Sequence, residues 1–340
     1  MRKKGKAYKK RWLERRARKL KNKWYTKKKR YIVKLELEKG DVVNSENEYL
    51  ANIPEIFSFR KNPEETIVFL NNIIRRIEKK IFKQKFYINA VNVREVTTEA
   101  LIYIIAVIYN IKANRPLQYS FRGNLPLAKK PRAVFEKSGY LNFFRIKRLM
   151  MPDCVEYVQI KSGTNVNTNM ASEICDFVNQ KLGTKRDFTF VLYSTLIELM
   201  SNTAKHAYNE HNKMMRCWYL YAICDENKVS ISFIDTGEGI PKTVRKKFLE
   251  KISWNVNDSD LIYSALTEKG RSETGLPYRG RGLPQIRKHV ENQKLKDFFV
   301  VSGAGACRYN KELNCLEKAS YCQAIFGTIF QFSIYKEDKQ

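Results

Sequence analysis

Residues 228–241 read KVSISFIDTGEGIP, an apolar strand that runs directly into an acid and two alternating glycines. Glycines in such a loop let a flat ligand approach the backbone closely, and the carboxylate of Asp235 can accept a hydrogen bond from that ligand. Residues 214–224 form a second apolar run, which predicts that the two strands pair through a short turn at 225–227. The pattern therefore predicts a hairpin with a ligand-binding loop at its end.

Polar residues on both sides of this hairpin add to the predicted site. Residues 187–212 lack glycine and proline and carry apolar residues at helical spacing, which predicts one long helix. One face of this helix carries four polar side chains, at i, i+4, i+7 and i+8: Glu198, Asn202, Lys205 and His206. After the hairpin, residues 280–283 (GRGL) open another helix, and backbone amides at a helix N-terminus favour a phosphate group. The polar residues 252–279 between the two glycine loops have the composition of a mobile lid.

This order of parts resembles the GHKL ATPase family, which contains gyrase, heat-shock chaperones, MutL-type mismatch-repair proteins, anti-sigma-factor kinases and the catalytic domain of histidine kinases. Residues 198–207 (ELMSNTAKHA) are similar to its N box, residues 235–239 (DTGEG) to its first glycine box and residues 280–283 to its second. Gly327 and Thr328 match the last strand, where the family places a small hydroxyl residue behind the adenine. The resemblance implies a Bergerat-type α/β sandwich over residues 161–340, with helices on one face of a mixed sheet.

The resemblance also implies a role for each matching residue, with ATP and magnesium as the cofactors. Asn202 would bind a magnesium ion that bridges the phosphates, and Glu198 would orient or activate the water that attacks them. Asp235 would accept a hydrogen bond from the adenine amino group, with Thr328 beside it. The other implied ATP-binding residues are Lys205, His206, Gly237, Gly239, Ile240, Gly280, Arg281, Gly282 and Leu283.

Residues 41–160 are predicted to form a smaller α/β domain, because predicted strands and helices alternate along them. The pattern is a helix that starts at Asn62 and Pro63, a strand at 86–93, a helix at 97–111, a strand at 117–121 and a helix at 127–139. This region resembles the STAS-like domains of anti-sigma-factor antagonists and sulfate transporters. Members that act as phospho-switches carry Ser or Thr in the loop that enters a helix. Residues 122–126 (RGNLP) contain neither, so the resemblance implies a docking role.

The chain has 64 Lys and Arg against 35 Asp and Glu, a formal net charge of +29. Residues 1–30 alone contain 17 of these bases and one acid, so about half of the excess lies in an N-terminal basic arm, residues 1–40, expected to be disordered or helical on binding. Aromatic residues interleave with these charges, which suits stacking on RNA or single-stranded DNA. Nucleic acid is therefore one expected partner of residues 1–30, and a solvated tail is the alternative.

Membrane insertion and export are not expected from this sequence. The longest apolar run, residues 100–109, has ten residues, whereas a membrane-spanning helix needs about twenty. No apolar segment follows the first basic residues as in a signal peptide. The seven cysteines include no CxxC pair, which is typical of reduced packing residues. A cytoplasmic location is the expectation.

Three functions remain open on the sequence alone. The first is a slow, magnesium-dependent ATPase in which nucleotide-driven lid closure switches a partner interaction. The second is a kinase that acts in trans on a partner, as anti-sigma-factor kinases do, and the third is a nucleic-acid-binding module that ATP stabilises. A self-contained histidine kinase is excluded, because the three histidines, His206, His211 and His289, all lie inside the ATP-binding region. The resemblance implies a protein partner or client and leaves a homodimer open.

Overall fold

The computed structural model describes residues 43–44, 48–78, 84–114, 119–138, 140, 157–206, 217–247, 256–267 and 282–336. Its strands are β1 (Val43–Asn44), β2 (Glu48–Asn52), β3 (Ile56–Phe57), β4 (Gln84–Asn89), β5 (Glu95–Val96), β6 (Tyr119–Gly123), β7 (Tyr157–Gly163), β8 (Trp218–Asp225), β9 (Lys228–Asp235), β10 (Lys296–Asn310) and β11 (Cys315–Tyr335). Its helices are α1 (Pro63–Glu78), α2 (Thr98–Asn114), α3 (Lys129–Lys137), α4 (Thr168–Leu182), α5 (Arg186–His206), α6 (Ile240–Lys247), α7 (Asp258–Leu266) and α8 (Gly282–Glu291). The chain is thus a mixed α and β protein with several sheets.

The N-terminal elements form a four-stranded sheet in the order β1-β2-β4-β6. Strands β2, β4 and β6 are parallel, and α1 and α2 connect them. The predicted alternation of strand and helix is therefore confirmed. Helix α1 begins at Pro63 as expected: the Asn62 carbonyl accepts from the Thr66 amide at 3.2 Å, and the Asn62 side chain donates to Glu65 at 2.8 Å.

The C-terminal elements form a five-stranded sheet in the order β10-β11-β9-β8-β7. All four of its pairings are antiparallel, so the mixed sheet expected from the sequence is a wrong prediction for the described residues. Two of the four pairings have a local reason: β8–β9 and β10–β11 are hairpins, and a short connection allows only antiparallel neighbours. The β8–β9 turn falls at Glu226 and Asn227, within the predicted turn.

Both faces of the five-stranded sheet are covered: the described helices of residues 161–340 pack on one face, as expected, and α1 and α2 of the N-terminal part cover the other, which was not predicted. Alternate residues of β9, such as Val229, Ile231 and Phe233, pack in a core with α4, α5 and α8. The opposite face, which includes Tyr219 and Ile234, packs in a second core with α1 and α2. The strands are therefore apolar almost throughout, as expected of strands buried on both sides. The division of the chain near residues 40 and 160 stays a prediction.

Helix α2 is the most apolar helix and lies between the two sheets, in contact with β6 on one side and with β8, β9 and β11 on the other. Its residues 100–108 are all buried. Burial on all sides explains why this helix has no polar face. Among the described residues, no helix is both long and apolar enough to cross a membrane.

The region predicted as a lid contains a packed helix. Ile262 and Leu266 of α7 are buried in the same core as α5 and β9, and Leu261 is also buried. Asp258 holds the start of this helix: its carboxylate accepts from the Ala304 amide at 2.8 Å and from Arg245 at 3.0 Å. The lid prediction is therefore wrong for residues 256–267. The other residues of 252–279 lie outside the described ranges, and for them it stays a prediction.

Candidate nucleotide site

Asp235 ends β9 at a point where two hydrogen-bond donors face its carboxyl group. The Gly237 amide donates to Oδ1 at 2.9 Å, and Thr328, its register partner on β11, hydrogen-bonds the carboxyl through its side chain. Burial raises the pKa of Asp235 to about 6, and the two hydrogen bonds oppose that rise. At neutral pH the group is therefore a mostly ionised, desolvated acceptor, suited to an uncharged N–H donor.

Ser302 of β10 connects the first glycine box, residues 235–239, to the sheet through hydrogen bonds at the end of that loop. The Ile240 amide donates to Ser302 Oγ at 2.9 Å, and that hydroxyl donates to the Gly327 carbonyl at 2.8 Å. Gly239 has a φ of +84°, and a Cβ there would lie 2.7 Å from Ser302 Oγ, so a side chain would not fit without strain. The sequence analysis missed Ser302, although the glycines at 303 and 305 were a visible signal of close packing in this strand.

Gly327 lets the end of β9 approach β11 closely. Its φ is +72°, and a Cβ at this position would overlap the backbone carbonyl of Asp235. This close approach places Thr328 opposite Asp235 in the register of the sheet. The structure thus brings together one set of the predicted ATP-binding residues, which we call the adenine-side residues because Asp235 and Thr328 are among them: Asp235, Gly237, Gly239, Ile240 and Thr328.

The described residues that are predicted to lie near the ATP phosphates are found where α5 meets the start of α8. The Glu198 carboxyl lies directly against Gly282, where a Cβ would overlap it. Helix α8 begins at Gly282, so its first backbone amides, which lack partners within the helix, lie close to this carboxyl. Leu283 follows and is half-buried. The N box and the second glycine box, 84 positions apart in the sequence, are therefore neighbours in space.

Asn202 lies one turn beyond Glu198 on α5 and is half-buried. Its Nδ2 atom is buried, with no hydrogen-bond partner among the described residues. A half-turn of the amide would present the oxygen in its place, and oxygen is the atom that binds magnesium. The described residues contain no cluster of three or more His, Cys, Asp or Glu, but magnesium in nucleotide sites needs only one or two protein oxygens beside the phosphates and water. Asn202 therefore fits a magnesium ion held mainly by a nucleotide.

Four predicted residues cannot be placed at this site. Lys205 and His206 lie in the last turn of α5, but their side chains lie outside the described part of the structure. Gly280 and Arg281 precede the first described residue of α8. Their predicted phosphate contacts stay predictions.

Compared with known proteins, the chain matches no family model and no curated protein sequence. The resemblance to the GHKL family therefore rests on the four motifs and on their arrangement in space.

Proposed function

We propose that this protein binds ATP with magnesium between the Asp235 loop and the start of α8, and that it hydrolyses ATP slowly. In this proposal, nucleotide occupancy changes the surface that the protein offers to a partner. A cytoplasmic location is part of the same proposal.

The single observation that carries the proposal is the environment of Asp235. This carboxyl is desolvated, and its pKa is raised to about 6, yet hydrogen bonds from Gly237 and Thr328 favour its ionised form. A partly buried carboxylate beside a glycine loop is costly to the free protein. An adenine amino group would offset that cost by donating to it, which explains why an acid occupies this position.

The phosphate end supplies the chemistry of hydrolysis. The Glu198 side chain can accept a proton from a water molecule, and its place beside the first amides of α8 would keep that water near a bound phosphate. Asn202 would hold magnesium, which neutralises phosphate charge when it is bound. Gly282 leaves the room in which the Glu198 carboxyl lies.

Glu198→Gln separates hydrolysis from binding, because it keeps the size of the side chain and removes the base. We expect Mg·ATP turnover by the full chain to fall by at least about 100-fold, while the dissociation constant of a non-hydrolysable ATP analogue changes little. Unchanged turnover would remove Glu198 from this role. Labelled ATP in the same assay distinguishes the alternatives, because transfer of the γ-phosphate to a partner protein instead of water would assign the trans-kinase function.

A second candidate function is nucleic-acid binding by residues 1–30, in which ATP only stabilises the fold. The observation that favours it is charge density: 17 bases and one acid lie in 30 residues, with Tyr8, Trp12, Trp24 and Tyr25 among them. Lysine and arginine contacts to phosphates release counterions, so such binding would weaken steeply with salt.

A further inference from the structure

Two buried polar side chains on helix α2 reach toward the candidate nucleotide site from the N-terminal part of the chain. The Tyr103 hydroxyl donates to the Phe326 carbonyl and accepts from the Phe326 amide, both at 3.0 Å. The Asn110 side chain donates to the Thr236 hydroxyl at 2.9 Å. Tyr103 and Asn110 are 1% and 2% exposed, and a spacing of seven residues places them on the same face, two turns apart.

The residues that they hold are direct neighbours of the adenine-side pair. Thr236 follows Asp235, and Phe326 is two residues before Thr328. Because Asp235 and Thr328 lie opposite each other on β9 and β11, one contact holds the Thr236 side chain on one side of the pair and the other holds the Phe326 backbone on the other side. The Asp235 charge also raises the pKa of Tyr103, in addition to the larger effect of burial.

On its other side, α2 packs against the N-terminal sheet. Ile104, Ile105 and Ile108 are fully buried in one core with Phe86 of β4 and Phe121 of β6. Such a closely packed helix transmits a displacement to its neighbours, since protein interiors have few voids that could absorb it. One rigid element thus contacts the nucleotide loops at one side and the parallel sheet at the other.

We propose that α2 couples the nucleotide site to the N-terminal sheet, with Asn110 and Tyr103 as positioning residues for the adenine-side loops. This inference rests on the proposed ATP binding. Coupling between two sites is reciprocal, so nucleotide stabilises the N-terminal sheet, and a partner docked on that sheet changes nucleotide affinity. The stability of the region that resembles a docking domain would in this way depend on whether nucleotide is bound.

The test uses the full chain and the variants Tyr103→Phe and Asn110→Ala, with Ile104→Val as the matched control. Ile104 is a fully buried neighbour on the same helix, and the change to valine loosens packing without removing a polar contact. Two quantities are measured: the dissociation constant of a magnesium-bound, non-hydrolysable ATP analogue by calorimetry, and amide hydrogen exchange in β4 and β6 with and without saturating analogue. Urea unfolding shows that every variant is folded under the assay conditions.

We expect the analogue to slow exchange in β4 and β6 of the unaltered protein. Asn110→Ala removes one hydrogen bond and Tyr103→Phe removes two, so each should weaken binding at least about five-fold, the effect of one lost hydrogen bond. Both variants should also remove the slowing in β4 and β6 at saturation. Ile104→Val should raise the exchange of β4 and β6 without analogue, because it loosens their packing, but should keep the analogue affinity and the slowing that the analogue causes. Equal behaviour of all three variants, or no effect of nucleotide on β4 and β6, would overturn the coupling.

The same experiment separates this inference from the proposed function. If Asp235→Asn weakens binding while both α2 polar variants bind and exchange like the unaltered protein, the coupling is wrong and the ATP site stands. If the unaltered protein binds no analogue, both the site and the coupling are wrong.

Discussion

The affinity for ATP should depend on pH through Asp235. The pKa of this carboxyl is about 6 in the free protein, because it is buried. An adenine amino group donates a stronger hydrogen bond to the ionised form than to the protonated form, so nucleotide binding favours ionisation and lowers this pKa. About one carboxyl in ten is ionised at pH 5 and nearly all are ionised at pH 7.5. The Asp235 contribution to binding should therefore weaken about ten-fold between pH 7.5 and pH 5.

Asp235→Asn isolates this effect, because the phosphates of ATP also titrate in this range but do so equally with both proteins. At pH 7.5 the variant should bind a non-hydrolysable ATP analogue more weakly by about 1–3 kcal/mol, the cost of losing a buried charged acceptor. Calorimetric titrations at pH 5, 6 and 7.5 give the ratio of the two affinities. This ratio should fall toward one on going to pH 5, by up to about ten-fold. A ratio that does not change with pH would refute the role of Asp235 as the adenine acceptor.

Four further outcomes are expected. Without nucleotide, Asp235→Asn should raise the free energy of unfolding by about 1–3 kcal/mol at pH 7.5 and by less at pH 5. The reason is that the raised pKa of the acid makes its ionisation destabilising as the pH rises from 3.8 through about 6. Urea unfolding measures this difference, and an equal gain at both pH values would argue against it. Gly282→Ala should displace the Glu198 carboxyl and reduce ATP turnover with little loss of stability, and full turnover would show that the contact is unimportant. Gly327→Ala should destabilise the fold by more than about 3 kcal/mol, because its φ is positive and a backbone carbonyl blocks the new methyl group; soluble protein with an unchanged urea midpoint would count against this packing. Deletion of residues 1–30 should abolish salt-dependent RNA binding, and an unchanged salt slope would exclude this segment as the contact.

Local patterns in the sequence predicted the elements around the site. The turn between β8 and β9, the acid at the end of β9 and the long helix with Glu198 and Asn202 all follow from short-range periodicity and glycine placement. The start of α1 at Pro63 follows from capping chemistry in the same way. These predictions succeed because each depends on residues within one or two turns of each other.

The errors concern packing between distant segments. Apolar strands such as β8 and β9 show that they are buried, but not what covers each face, so the cover that α1 and α2 provide was missed. Ser302 and Asn110 act through partners 25 to 126 residues away, and no local pattern marks them. Helix α7 was predicted to be part of a lid because its flanking residues are polar, whereas two of its buried apolar residues, Ile262 and Leu266, join the core.

Binding of nucleotide at Asp235 is the central claim, and one titration tests it most directly. Magnesium with a non-hydrolysable ATP analogue is titrated into the full chain and into Asp235→Asn at pH 7.5. The account predicts saturable binding with one nucleotide per chain, weakened about 5- to 150-fold in the variant. No binding to the unaltered protein, or equal binding to both proteins, would contradict it.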